Sequence, residues 1–162
     1  MKPYLRQGER VLVNKLAYLI ARPEVGDVVL YDPPEIKTDI GQLYVVDRKN
    51  GFERVVAGPG QTYSRRDGVY YLDGQPAEPR GQPVGDDQIW WDFELTAPPG
   101  HYIVLFTYTG KSYTPLVGMV KAPRLDETIY RGWHEVCIIP EEDIFGRAMF
   151  VYNPSWSRRI LC

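Results

Sequence analysis

The sequence is poor in the residues that hold metals and disulfides, with only two cysteines and two histidines among 162 residues. Cys137 and Cys162 form neither a metal-ligand spacing nor a disulfide framework, so one disulfide and two separate thiols both stay open. Histidine, cysteine and carboxylate residues do not cluster at ligand spacing. We therefore expect no metal and no cofactor.

Long hydrophobic runs are also absent. The longest candidate, residues 16–21, contains Tyr18 and is far shorter than the ~18 apolar residues that span a bilayer. The opening MKPYLRQGER is polar and does not have the pattern of a secretory signal. We expect the chain as given to be soluble, with a membrane anchor upstream of Met1 left open if it is part of a longer protein.

A strong excess of positive charge is missing, since the formal net charge is -2. Non-specific binding to nucleic acid requires a cationic surface, so we expect no nucleic-acid partner. Two pairs of adjacent arginines, at residues 65–66 and 158–159, are typical of ordinary solvated surface. The chain is 44% apolar and long enough for one domain with a real core.

Helical periodicity is scarce, because 14 prolines and 15 glycines interrupt the chain. The best helix candidate covers residues 13–20, whereas strand patterns separated by turn residues are frequent. Asn50-Gly51 and Asp73-Gly74 are typical hairpin and turn dipeptides. The pattern predicts an all-β fold, an antiparallel sandwich or barrel. We expect a single domain over residues 1–162, with irregular insertions at about residues 75–89 and 110–132.

Seven short pieces, taken in order and spacing, carry a resemblance to a known family. They are MKPYLRQGERVLVNK, PEVGDVVLYDPP, ERVVAGPGQTY, GVYYLDGQP, PPGHYIVL, CIIPEEDIFGRAMF and PSWSRRI. Together the chain resembles type I signal peptidases, membrane-anchored serine endopeptidases that cut signal peptides from exported proteins. The resemblance implies the antiparallel β fold of that family and a place at the outer face of a bacterial plasma membrane.

Neither catalytic residue of the family is found at its matching position in this chain. The family's nucleophilic serine stands immediately before the methionine that Met1 matches, so its position precedes this chain. Two alternatives stay open: either Met1 is the true start and the protein never had this serine, or an upstream anchor and serine have been cut away. The family's lysine base precedes the arginine of Arg-Val-Val-Gly-x-Pro-Gly, and this chain has Glu53 before Arg54. A serine hydroxyl needs an adjacent base, and a carboxylate is a poor substitute for a neutral amine. An ion pair between Lys2 and Glu53 is one use of the vacated site.

The family's supporting motif, Gly-Asp-Asn-Arg, is also missing after HYIVL, where the chain continues as FTYTGKS. The acid, the amide and the arginine of that motif are all replaced. Lys111 follows this strand and is a candidate for a relocated base, because serine and lysine chemistry depends on geometry and not on sequence order.

Three interpretations follow. The first is a catalytically inactive or strongly altered signal-peptidase-like domain that binds an extended peptide, such as a preprotein segment, or a membrane partner. Its predicted groove is formed by Met1, Pro3, Phe52, Glu53, Val55 and Ala57. The second is a divergent serine endopeptidase that still cleaves signal peptides, and the third is a soluble β interaction module. Whether the chain is an enzyme is left open at this point.

Overall fold

The computed structural model describes residues 9–32, 36–37, 43–44, 51–77, 92–105, 134, 136–153 and 159–161. The strands are β1 (Arg10–Asn14), β2 (Val28–Tyr31), β3 (Ile36–Lys37), β4 (Leu43–Tyr44), β5 (Gly51–Ala57), β6 (Thr62–Arg66), β7 (Val69–Leu72), β8 (Gln75–Pro76), β9 (Phe93–Thr96), β10 (His101–Val104), β11 (Ile138–Pro140), β12 (Ile144–Asn153) and β13 (Arg159–Ile160). The short helix α1 (Ala17–Ile20) follows β1, and a 3-10 turn (Glu141–Asp143) joins β11 to β12.

A seven-stranded antiparallel sheet forms the larger part of the fold. Its order is β1-β12-β2-β5-β10-β11, and β13 pairs with β12 beside this path. All four residues of β2 are buried, which explains its uninterrupted apolar sequence. β2 and β5 are therefore central strands, and side chains on them are held by neighbours on both sides.

A four-stranded sheet, ordered β8-β7-β6-β9, is formed by the chain between β5 and β10 of the large sheet. Its tight turns place Asp67 and Asp73 at φ of 50° and 51°, each followed by a glycine with positive φ. Two successive residues with positive φ make the turn type that fits the twist of a two-residue hairpin. The turn predicted at Asp73-Gly74 is confirmed.

In the part of the chain that the structure describes, three clusters of buried side chains make up the core. One, which contains Val56, Tyr63, Phe93 and Ile103, joins the small sheet to the large one. The second lies on one face of the large sheet and includes Val29, Val55, Val104 and Ile139. The third is built on Val28, Ala148, Val151 and Leu161. The sheets are thus packed into one body by side chains from strands far apart in sequence.

The all-β, antiparallel prediction is confirmed, with differences in detail. The helix expected at residues 13–20 is shorter, because β1 extends to Asn14 and α1 begins only at Ala17. A hairpin at Asn50-Gly51 would pair β4 with β5. Instead β4 pairs with β3, and β5, which starts at Gly51, pairs with β2 and β10. Within the predicted insertion at residues 75–89, Gln75–Pro76 form β8, and residues 78–89 lie outside the described residues, as does the insertion at residues 110–132. No helix among the described residues is long and apolar enough to cross a membrane.

The contact between β1 and β12 gives a stability prediction at Gly146. A Cβ atom there would lie 2.8 Å from Val13 Cγ1 and 2.9 Å from the backbone oxygen of Asn14. Because backbone atoms cannot rotate away, we expect Gly146→Ala to lower the free energy of unfolding by about 2 kcal/mol. Urea denaturation measures this change.

The matched control is Gly58→Ala, whose Cβ would meet Gln61 Oε1 at 3.4 Å and Tyr102 Cε1 at 3.9 Å. These are ordinary contacts, so we expect a change below about 0.5 kcal/mol. A Gly146→Ala protein as stable as the control would contradict the close approach of β1 to β12.

Candidate functional site

The position of the family's lysine lies in the middle of β5. Glu53 is only 6% exposed and stands directly opposite Val29 of β2. β10 pairs with β5 at Ala57 and Val55, further along the strand. Glu53 is therefore a carboxylate set inside the large sheet, next to an apolar neighbour, where the cost of burying charge is high.

The turn after β5 is held by hydrogen bonds that the sequence Gly58-Pro59-Gly60-Gln61 makes possible. The amide of Gly58 donates to the side-chain oxygen of Gln61 at 2.8 Å, and the amide of Gly60 donates to the carbonyl of Ala97 at 2.8 Å. Gly60 has φ of +80°, a conformation that suits glycine. The turn thus ties the end of β5 to the small sheet.

The structure separates the residues predicted to line one groove. Val55 and Ala57 have 0% exposure, and both belong to the core. Phe52 is half-buried and packs against the cluster around Val28, on the opposite face of β5 from Glu53. Two other groove positions, Met1 and Pro3, lie outside the described residues, as do Lys2 and the candidate base Lys111. The groove itself stays a prediction.

A buried polar network lies on the same face as Glu53, and sequence analysis did not single it out. Asp27 is 4% exposed and pairs through Oδ1 with Arg147 Nη2 of β12 at 2.9 Å. Its Oδ2 accepts hydrogen bonds from the Tyr18 hydroxyl at 3.0 Å and from the Glu24 amide at 3.2 Å. Both oxygens of the buried carboxylate therefore have partners, as a buried charge requires.

The backbone at Asp27 also holds β5. Its carbonyl accepts from the amide of Val55 at 2.8 Å, and the amide of Gly26 donates to the carbonyl of Val55 at 2.8 Å. In the sequence, the one indication of this polar network was Asp27, a single acid directly before the apolar run of β2. That pattern is common in strands, so the sequence did not distinguish a network centre from an ordinary turn residue.

Strand register places Arg147 on the same face of the sheet as Glu53. Arg147 of β12 is paired with Val29 of β2, and Glu53 of β5 is paired with Val29 on the other edge of β2. Residues directly opposed in antiparallel strands share a face of the sheet. We call the residues so aligned across four neighbouring strands the Val29 row: Asn14, Arg147, Val29 and Glu53.

Burial shifts several titratable groups near the core. It raises the pKa of Tyr18 above its ordinary value, and the neighbouring carboxylate of Asp27 adds to the shift. Burial likewise lowers the pKa of His134, which favours the neutral imidazole. His101 bonds through Nδ1 to the carbonyl of Pro99 at 3.0 Å, a local structural contact. Within the described residues, no three histidine, cysteine or acidic side chains come together to hold a metal ion.

The hydroxyl of Tyr18 gives a prediction about stability and pH. Tyr18→Phe removes one hydrogen bond to Asp27, and we expect a loss of about 1 kcal/mol at neutral pH. Because its pKa is raised, the phenol of Tyr18 stays neutral in the folded state at pH values at which it ionises in the unfolded chain. The hydroxyl of Tyr18 therefore makes its full contribution to the free energy of unfolding below about pH 10, and this contribution is lost as the pH rises further.

Urea denaturation at about pH 8 and about pH 11 tests this, since the two pH values lie on either side of the ordinary tyrosine pKa. We expect the stability gap between wild type and Tyr18→Phe to narrow at the higher pH. Tyr152→Phe, at a tyrosine that is 42% exposed, should leave stability unchanged at neutral pH. A gap that widens with pH would show that the Tyr18 hydroxyl is not held in neutral form.

Comparison with known proteins places this site in a family. The family model described as signal peptidase, peptidase S26, matches residues 1–109. "Probable signal peptidase I-1" of Synechocystis is 39% identical over 82 residues, covering 48% of this chain and 38% of the relative. "Thylakoidal processing peptidase 1, chloroplastic" of Arabidopsis thaliana is 27% identical over 154 residues, covering 95% of this chain and 39% of the relative.

A third relative differs in its described activity. "Inactive signal peptidase IA" of Staphylococcus aureus is 27% identical over 111 residues, covering 65% of this chain and 56% of the relative. The chain therefore spans between about two fifths and three fifths of the length of these three proteins. Because the family model covers more than half of the chain, with the Glu53 strand inside the match, the protein belongs to the signal peptidase family, peptidase S26.

Proposed function

We propose that this protein is a catalytically inactive signal-peptidase-like domain that binds an extended peptide. The observation that carries the proposal is Glu53, a buried acid on a strand and turn that fit the family's motif loosely. A carboxyl group, with an ordinary pKa of about 4.3, is a poor substitute for the neutral amine that activates the serine in the family. The relative from Staphylococcus aureus, named as inactive, supports loss of catalysis within this family.

The peptide-binding part of the proposal follows from the family and from the groove predicted along β5, beside which a peptide would bind in extended form. A preprotein segment is the partner that the family suggests. In this proposal one domain, residues 1–162, acts at the outer face of a bacterial plasma membrane, where an N-terminal anchor would hold the full protein.

A second candidate is a divergent serine endopeptidase. It is favoured by the relatives from Synechocystis and Arabidopsis thaliana, whose names describe peptidases. In that case the base would have moved, and Lys111 is the candidate that sequence analysis identified. The two proposals differ in one measurable property, cleavage of a preprotein.

The deciding experiment uses the natural full-length protein in detergent with a preprotein that carries a small-x-small cleavage site. Cleavage is measured by mass spectrometry. Binding is measured by fluorescence anisotropy with a peptide from the cleavage-site region of the same preprotein. Binding without cleavage is the expected result. Site-specific cleavage that is lost in Lys111→Ala would establish the endopeptidase instead, and neither binding nor cleavage would indicate a β interaction module with an unrelated partner.

Restoring the family's residue should not restore catalysis. We expect Glu53→Lys to show no cleavage, because the lysine alone supplies neither the supporting Gly-Asp-Asn-Arg motif nor its hydrogen bonds. Glu94→Lys, at an exposed acid of β9 that pairs with Arg66 at 2.8 Å, is the control for the charge change. Preprotein cleavage by Glu53→Lys, but not by Glu94→Lys, would contradict the proposal that the site has lost more than its base.

A further inference from the structure

β1 is the outermost strand of the large sheet in the part of the chain that the structure describes. It pairs with β12 along one edge, and no described strand pairs with its other edge. The open edge of a strand presents backbone N–H and C=O groups that can pair with another chain. Proteins commonly protect such edges with charged side chains, but the three central residues of β1 are Val11, Leu12 and Val13. β1 is therefore an edge strand without charge at its centre.

β1 is also regular, as the addition of a further strand requires. Its pairing with β12 shifts register at two points, and at both the extra residue belongs to β12, Tyr152 at the first and Met149 at the second. A bulge bends the strand that carries it, so β12 and not β1 absorbs these irregularities. Exposure along β1 alternates: Arg10, Leu12 and Asn14 are exposed, and the two valines between them are half-buried. An edge of this kind can accept another antiparallel strand.

Apolar side chains reach the open edge on both faces of the sheet. Leu12 is 47% exposed and stands opposite Phe150 of β12, which stands opposite Ile160 of β13. Residues directly opposed share a face, so these three exposed side chains form an apolar row that ends at the edge on Leu12. On the other face, Val11 packs against the cluster around Val28 and is only half-buried. A strand added at this edge would therefore meet apolar side chains on both faces.

We propose that two copies of this chain associate through β1, paired antiparallel about a two-fold axis that passes between their Leu12 residues. In this register Leu12 of one copy faces Leu12 of the other. Val11 of each copy stands opposite Val13 of its partner, so the half-buried valines cover one another. Cross-strand pairs of apolar and β-branched residues stabilise antiparallel sheets, and a two-fold dimer requires such a self-complementary surface. The two large sheets become one continuous sheet.

The side chains of β1 favour this register over its neighbours. Each side chain must stay on its own face of the sheet, so the axis can move only by whole residues. An axis at Val11 would set Arg10 opposite Leu12, and an axis at Val13 would set Leu12 opposite Asn14. Only the axis at Leu12 opposes apolar to apolar residues over the whole centre of the strand.

Charge also favours a second copy as the partner. If the pairing continues one residue beyond each end of β1, the exposed Lys15 of one copy lies opposite the acid Glu9 of the other. Arg10 then lies opposite the uncharged Asn14. Opposite charges across an antiparallel pair are stabilising and like charges are destabilising. The proposed pairing therefore contains two complementary charge pairs and no like-charge pair.

Substitutions at Leu12 test the proposal, because this residue would face its own copy. Leu12→Lys sets two ammonium groups opposite each other, and Leu12→Glu sets two carboxylates. We expect each variant alone to raise the dimer dissociation constant about tenfold. An equimolar mixture of the two should regain the dimer, since a lysine then faces a glutamate. The mass is measured on the natural full-length protein in detergent, by size-exclusion chromatography with light scattering.

Recovery in the mixture distinguishes this contact from any other mode of association. A wild type that stays monomeric up to about 100 µM would overturn the proposal, and so would a mixture that stays monomeric while the wild type forms dimers. Val69→Lys is the matched control, because Val69 is 46% exposed and lies on β7, between β6 and β8 of the small sheet. We expect its dimer dissociation constant to stay within about twofold of the wild type.

An engineered disulfide tests the geometry of the contact. Opposed residues of antiparallel strands have Cα atoms about 4.5–5.5 Å apart, a separation that a disulfide can span. We expect Leu12→Cys to form a covalent dimer on mild oxidation, and Val69→Cys, which retains the same natural cysteines, to form none. Cross-linking of both variants, or of neither, would overturn the proposal. Neither measurement involves a peptide, so their outcome is independent of the proposed function.

Discussion

The buried carboxylate of Asp27 is the interaction on which this structure depends most. A buried charge without partners costs far more than one hydrogen bond contributes, so the chain must bring donors to it. Tyr18 comes from α1, the amide of Glu24 from the following loop, and Arg147 from β12, more than a hundred residues later. These donors draw together segments that local strand propensity alone would not place side by side.

The same position also organises β5. The backbone of Asp27 and Gly26 makes two hydrogen bonds to Val55, so the strand that carries Glu53 is held at the point where the polar network begins. On its other edge β5 is paired by β10, and its end is tied to the small sheet through Gly60 and Ala97. Residue 53 thus lies on a central strand that has neighbours on both edges.

The core packing of a fold can be retained while the residues of its catalytic site change. Val55, Val56 and Ala57 are buried in the core, so apolar side chains other than residue 53 hold this strand. An acid can stand at residue 53 within the family's fold, because fold and site are under separate physical constraints. In this protein two acids, Asp27 and Glu53, and one arginine, Arg147, lie on the same face of the large sheet.

The antiparallel β class, the turn at Asp73-Gly74 and the family could be predicted from the sequence, because strand alternation, turn dipeptides and motif spacing are local properties. It overextended the helix, where β1 runs through Asn14, and it grouped Phe52 with Glu53, although neighbouring residues of a strand face opposite ways. The ion pair between Asp27 and Arg147, on the same face as Glu53, could be found only in the folded structure. Those contacts depend on strand order and register, which join distant residues and leave no local pattern in the sequence.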